Sequence, residues 1–343
     1  MDRQKMVTQI LLVLNIILLT ALVAAGIHIA YTSSGPKPPA EQNVPVAPES
    51  EDAAEVMGAG NTEEQALQQW IDNMKALAQK HGVDAYFLQE LFPENIVYSF
   101  RGQHIYAEVD ESLPKHPYTW ENLRQGENGV LQYAEEGGVQ GIFGIDVSKY
   151  QGEIDWAKVK EAGVEFVMIR AGYRGYDTGQ IVMDEYFESY LQGASEAGIP
   201  IGVYFFSQAI SAEEAVEEAE FVLEAVEGYP IAYPIVFDME EMETSPYRTE
   251  NLTSEEITKI AIAFCNRVQE GGYTPMLYGN VSWFLARMDL HQLHEYDKWF
   301  AQYRPMPYYP YEFTIWQYTA KGSVDGIEGE VDMNLSFVDY AAD

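Results

Sequence analysis

From Ile10 to Ala30 the chain carries no Asp, Glu, Lys or Arg. At about 1.5 Å per helical residue that run spans roughly the 30 Å of a bilayer core, so the pattern predicts a transmembrane helix within residues 1–32. Arg3 and Lys5 precede the run and the next basic residue is Lys37, which by the positive-inside bias puts the N-terminus in the cytoplasm and everything else outside. Val23-Ala24-Ala25 resembles a signal-peptide cleavage site. An uncleaved anchor is preferred because the apolar run continues through Ile27 and Ile29. Either reading exports the remainder of the chain, anchored to the membrane in one case and secreted in the other.

Residues 33–61 hold Pro36, Pro38, Pro39, Pro45 and Pro48 among Glu, Ala, Ser and Gly. Such a composition buries no core and reads as an extended linker. Residues 62–140 then read as a small α+β module. Thr62 and Gln65 are spaced as a capping box, and Leu67, Trp70, Ile71, Met74, Leu77 and Ala78 form one helical stripe ending at His81-Gly82. Asp84 is placed to cap a second short helix that Pro93 ends, and Ile96–Val109 alternates around Arg101-Gly102 like a β-hairpin. No motif in this module carries chemistry or names a partner.

From residue 141 to 343 the rhythm changes to short apolar runs separated by amphipathic helices. Strands are expected at Ile142–Val147, Phe166–Tyr173, Pro200–Phe206, Pro234–Glu240 and Pro275–Tyr278. Helices are expected near Asp155–Ala162, Asp184–Ala197, Ala212–Glu227 and Ser254–Gln269. Lys298–Tyr303, Thr314–Tyr318 and Val331–Phe337 are strand-like, with little room for helices between them. The fold class is therefore α/β: an irregular, TIM-like β/α barrel of about eight strands with fewer helices than strands.

The 343 residues include 20 Lys+Arg against 54 Asp+Glu, a formal net charge of −34. That excess opposes binding to nucleic acid, which needs a basic patch. Cys265 is the one cysteine, so no intrachain disulfide or zinc ribbon can form. His291 and His294 lie three apart without a third ligand of clear spacing, so no metal is expected. No phosphate-binding glycine loop occurs, and no cofactor is implied.

Within Tyr233-Pro-Ile-Val-Phe-Asp-Met-Glu240 an apolar run turns acidic at its C-terminal end, where barrel enzymes place their catalytic groups. Asp238 and Glu240, two apart, share one face of a strand, so both carboxyls can enter one pocket. Neighbouring carboxylates disfavour joint ionisation, and one then keeps its proton as a general acid. The competing reading is that these acids cap a following helix or pair with Arg170 or Arg174. Asp146 and Asp332 place further acids at strand ends, and Tyr173, Tyr204, Tyr278, Tyr303 and Trp316 occupy similar positions. Rings stack on the C–H faces of sugars while carboxylates take the hydroxyls, which suits a carbohydrate cleft. Barrel core is the other reading of each aromatic.

Gly144-Ile-Asp-Val-Ser-Lys-Tyr-Gln-Gly152 with Ile154-Asp-Trp156, Pro200-Ile-Gly-Val-Tyr204, Phe237-Asp-Met-Glu240, Leu277-Tyr-Gly279, Trp299-Phe-Ala-Gln-Tyr303, Ile315-Trp-Gln-Tyr318 and Val331-Asp332 resemble glycoside hydrolase family 25 in the right order. The resemblance covers about residues 141–340. It implies an irregular β/α barrel and a muramidase, or lysozyme, that cleaves the β-1,4 bond between N-acetylmuramic acid and N-acetylglucosamine in peptidoglycan glycan strands. It implies Glu240 as the general acid, Asp238 as the carboxylate assisting at the reacting sugar, Asp146 and Asp332 as acids completing the site, and Tyr204, Tyr278 and Trp316 as cleft aromatics. Assistance by the substrate's own N-acetyl group is expected over a covalent intermediate. Where many members read Tyr-His-Phe, this chain reads Tyr204-Phe205-Phe206, so no histidine acts there. A non-catalytic cell-wall glycan-binding or scaffold protein is the main alternative. A chitinase-like hydrolase is another, although Pro234-Ile-Val-Phe237 lacks the longer acidic series usual ahead of its Glu.

Overall fold

The computed structural model describes residues 63–126, 129–242 and 245–342. The uncharged run at 10–30, the Pro-rich stretch at 33–61 and Thr62 of the expected capping box lie outside the described residues. Among the described residues no helix is long and apolar enough to cross a membrane.

The described residues divide into two units at Leu91/Phe92. In the first, α1 (Glu63–His81) is followed by α2 (Ala85–Leu91), whose start is fixed by Asp84 Oδ1 accepting the Tyr86 N–H at 2.7 Å. The second unit opens with the hairpin of β1 (Asn95–Phe100) and β2 (Gln103–Glu108). Arg101 at φ 48° and Gly102 at φ 75° take the two left-handed positions of a tight hairpin turn.

Residues 62–140, expected as one module, are thus split at Leu91/Phe92. A two-stranded hairpin is not stable alone. Ile96 and Tyr98 join Leu131 and Tyr133 in the apolar layer that surrounds the barrel. Tyr308 Oη donates to the Val97 carbonyl at 2.8 Å, and the Asp110 N–H donates to Tyr311 Oη at 2.8 Å. A second hairpin, β3 (Leu123–Gln125) with β4 (Leu131–Tyr133), leads into the barrel.

The barrel strands are β5 (Ile142–Val147), β6 (Phe166–Arg174), β8 (Ile201–Phe206), β9 (Ile231–Asp238), β10 (Pro275–Asn280), β11 (Asp297–Ala301), β12 (Ile315–Gly322) and β13 (Val331–Ser336). They pair in the order β5-β13-β12-β11-β10-β9-β8-β6, and β5 closes on β6. All neighbours are parallel except β13, which runs antiparallel to both β12 and β5. A short antiparallel strand, β7 (Ile181–Met183), extends β6 and had no clear signal in the sequence. The helices α3 (Trp156–Glu161), α4 (Phe187–Glu196), α5 (Ala212–Ala225) and α6 (Ser254–Glu270) follow β5, β7, β8 and β9. Only the short α7 (Val281–Ala286) and α8 (Leu290–Leu293) separate β10 from β11, in keeping with the expected scarcity of helices in the last third.

Two apolar layers hold the wall. Phe166, Met168, Tyr233, Val236, Met276, Trp299 and Ile315 fill the barrel interior, with Phe166 stacked on Tyr233 at 4.4 Å. Gly144 is required here, since a Cβ on it would lie 2.2 Å from the Phe166 ring. The outer layer joins alternate strand residues to the helices and the two hairpins. Apolar packing fills the lower barrel, so the inward positions at the C-terminal ends of the parallel strands are left for polar groups.

Candidate active site

At that end, Asp146 closes β5, Asp238 closes β9, and Asp332 lies at the start of the antiparallel β13, where it is the register partner of Asp146. Tyr278 on β10 is the register partner of Asp238. β9 ends at Asp238, two residues short of the expected Glu240; Met239 is fully buried in the outer layer, and Glu240 lies close enough to Asp238 to act on its charge. Asp238 and Asp146 are buried, while Glu240 and Asp332 are partly exposed at the rim.

Asp146 Oδ2 accepts from Gln317 Nε2 at 2.9 Å and from Asn334 Nδ2 at 2.8 Å. Trp299 lies beneath and donates Nε1 to Asn334 Oδ1 at 2.7 Å. Gln317 Oε1 accepts from Tyr278 Oη at 2.8 Å and Tyr303 Oη at 2.9 Å. One amide side chain therefore orients Asp146 and both tyrosines. Among the described residues, Asp238 Oδ1 is buried and meets no hydrogen-bond partner. Such an acceptor is costly to leave unfilled, and a substrate N–H or O–H would satisfy it.

The four carboxyls perturb one another. Burial pushes Asp238 well above the usual carboxylate range, Glu240 and Asp146 push it further, and the Arg170 guanidinium opposes them. Asp146 is likewise raised by burial and by Asp332, against the pull of its two amide donors. Glu240 is pushed up to about 7 by burial and by Asp332. Asp332 is pushed up to about 6, chiefly by burial. Protons are thus held by the set near neutrality and leave it in coupled steps.

Neither competing reading of the acids is realised. Arg170 pairs with buried Asp184, Nη2 to Oδ2 at 2.6 Å, and Arg174 pairs with Glu218, Nε to Oε1 at 2.7 Å. The next helix, α6, is capped by Thr253.

Of the expected aromatics, Tyr204 packs edge-on against Trp299 at 5.8 Å, and Tyr278 does so at 4.9 Å. Tyr303 is 50% exposed at the rim, with its hydroxyl fixed by Gln317. Tyr173 lies with its ring centroid 5.8 Å from the Arg170 guanidinium. Trp316 does not line the mouth. It is fully buried on the outer face of β12, packs edge-on against Trp120 at 6.0 Å and donates Nε1 to the Gln302 carbonyl. Alternation gives the inward place to its neighbour Gln317.

Gln317, Asn334, Trp299 and Tyr150 lie at or near the mouth without having been singled out in the sequence, and Arg170, considered there only as an ion-pair partner, acts on the charge of Asp238. Tyr150 is 78% exposed and 5.2 Å from the Arg170 guanidinium, and its position inside the Gly144–Gly152 run was the available signal. His291 and His294 lie elsewhere, spent on Asp110 Oδ2 and on the His291 carbonyl.

Residues 145–327 match the model of glycosyl hydrolases family 25, more than half of the chain. The chain belongs to that family. YegX of Escherichia coli is 30% identical over 203 residues, 57% of this chain and 69% of that protein. Lysozyme M1 of Streptomyces globisporus is 28% identical over 207 residues, 57% of this chain and 67% of that protein. The autolysin LytC of Streptococcus pneumoniae shares the fold, with a TM-score of 0.52 at 22% identity over 70% of this chain and 57% of its own. As a family 25 member the chain is a glycoside hydrolase.

Proposed function

We propose that the chain is a peptidoglycan muramidase, hydrolysing the β-1,4 bond from N-acetylmuramic acid to N-acetylglucosamine. The observation that carries this reading is the pairing of Glu240 with Asp238. A rim carboxyl keeps its proton to about pH 7, beside a buried carboxyl with an unfilled acceptor. The likeness to Lysozyme M1 supports it.

Glu240 gives its proton to the glycosidic oxygen as the C1–O bond breaks. The acetamido oxygen of the muramic sugar attacks C1 and forms an oxazolinium ion. In its ionised form, which the Arg170 guanidinium favours, Asp238 accepts the acetamido N–H at Oδ1 and stabilises the cation. Water then opens the ring at C1 and gives its proton back to Glu240, restoring the starting state. Burial and Asp332 keep Glu240 protonated, and Asp146, held by Gln317 and Asn334, binds sugar hydroxyls together with Asp332. Tyr204, Tyr278, Tyr303 and Tyr173 supply ring faces and hydroxyls along the cleft. The uncharged run after Arg3 and Lys5 supports a cell-membrane tether with the barrel outside, within reach of the inner wall.

Digestion of purified peptidoglycan, reduction with borohydride and mass spectrometry name the bond broken. New reducing ends on muramic acid are expected. New ends on N-acetylglucosamine, or equal cleavage of chitin oligomers, would move the reading to a chitinase-like enzyme, and intact strands would move it to a glycan-binding protein. Because the acid must be protonated, kcat/KM falls as pH rises through Glu240's value of about 7, by about tenfold per unit beyond it. An acidic limb alone, with full activity persisting well above pH 8, would contradict the assignment of the acid.

A further inference from the structure

A pocket of about 400 Å³ lies between the β3–β4 hairpin and the outer face of β12 and β13. Arg124, Arg304 and Lys321 line it, with Gln125, Thr319 and Met333, and among the described residues no Asp or Glu lines it; Glu127, in the hairpin turn, lies outside the described residues. Three cations on one concavity stand out in a chain of 20 Lys+Arg and 54 Asp+Glu. The hairpin is seated on the barrel: Leu131 is buried, and its N–H donates to Tyr318 Oη at 3.3 Å. Arg124 is pinned by donating to the Glu121 and Leu123 carbonyls. This wall precedes residues 145–327, the span that the family model matches.

The pocket and the mouth share a rim. Arg304 follows Tyr303, and Met333 follows Asp332, so each pair of Cα atoms is about 3.8 Å apart. Asp332 faces into the mouth and Met333, one residue on, faces the pocket, as strand alternation requires.

We infer that this pocket is a subsite for the carboxylates of the peptide stem carried by the muramic acid sugar. The inference rests on the muramidase reading and names the part of the substrate held beyond the glycan. A stem leaves the sugar through its lactyl ether. Extended at about 3.3 Å per residue, it crosses one strand spacing of about 4.8 Å within two residues. Its free carboxylates then meet Arg124, Arg304 and Lys321, where guanidinium groups pair with carboxylates through two hydrogen bonds. The rest of so acidic a protein repels an anionic stem, so a local reversal of sign positions it and sets its direction along the cleft.

The test compares glycan strands bearing stems with strands stripped of stems by an amidase, using the full chain and its R124E/K321E variant. The wild-type chain is expected to show a KM roughly tenfold lower on stem-bearing strands at low salt, two exposed charge pairs each contributing a few-fold. That preference shrinks at high salt as the charges are screened. R124E/K321E abolishes it by raising KM on stem-bearing strands while kcat and KM on stripped strands stay unchanged, and R124K/K321R retains it. Equal KM on the two substrates in the wild type, or an equal rise on both in the variant, would overturn the subsite. Calorimetric binding of the soluble stem peptide reads the pocket without turnover. Lack of charge-dependent binding counts against the subsite, whereas lack of hydrolysis of every strand counts against the muramidase reading.

Discussion

Glu240→Gln lowers kcat on peptidoglycan by about 10³-fold, equivalent to ~4 kcal/mol of transition-state stabilisation, with KM little changed. The amide keeps the size and the hydrogen bonding of the acid but has no proton to give to the leaving oxygen. Glu241→Gln is the matched control. Glu241, one residue further along, is exposed, and its variant retains wild-type turnover. Equal loss in both variants would mean that the segment, and not the Glu240 carboxyl, was disturbed.

The second large effect lies behind the site. Glu218 on α5 is fully buried, receives Arg174 Nε at 2.7 Å and the Ser207 hydroxyl at 2.6 Å, and is pushed up to about 7 by burial despite the arginine beside it. The Ser207 N–H in turn donates to the Asp238 carbonyl at 2.7 Å, joining the ends of β8 and β9. Glu218→Ala removes the buried acceptor of the Arg174 Nε–H and the Ser207 hydroxyl, while Arg174 keeps the Glu217 carboxylate and the Gly179 and Glu214 carbonyls. Removal of one partner from a buried pair costs about 3 kcal/mol, and thermal unfolding of the barrel is expected to fall by roughly 6–12 °C.

The pH dependence of that deficit has a definite sign. Glu218 titrates higher in the folded chain than its ordinary value of 4.5. Its contribution to stability is therefore full in acid and is lost as pH rises through about 7. Denaturant melts should show a larger deficit for Glu218→Ala at pH 5 than at pH 8. A deficit that grew with pH would mean that Glu218 is stabilised as the carboxylate.

Much of this was legible in the sequence. Period-two alternation predicts Asp238 and Glu240 on one face, and Met239 between them is buried in the outer layer. The strand at Ile142–Val147 has the bounds its apolar run implies. The failures have physical causes. Barrel strands are apolar on both faces, so nothing in Ile315-Trp-Gln-Tyr318 says which residues look inward. The larger aromatic drew the assignment that belongs to Gln317. The hairpin at Asn95–Glu108 was recognisable, but its packing partners, among them Tyr308 and Tyr311, are about 200 residues away. Local pattern therefore could not distinguish a free-standing module from an appendage of the barrel. Arg124, Arg304 and Lys321 are brought to one pocket by that same long-range packing. The residues at 10–30 lie outside the described residues, and the proposed tether is argued from their composition.

Everything catalytic in this account depends on a rim carboxyl that remains protonated near neutrality because burial and a neighbouring acid hold it so. Carbon-13 NMR titration of the Glu240 carboxyl in the full chain, assigned by its loss in Glu240→Gln, measures this directly. A midpoint near 7, with a second inflection transmitted from Asp332, is the predicted result. A single midpoint at the ordinary glutamate value of 4.5 would contradict it.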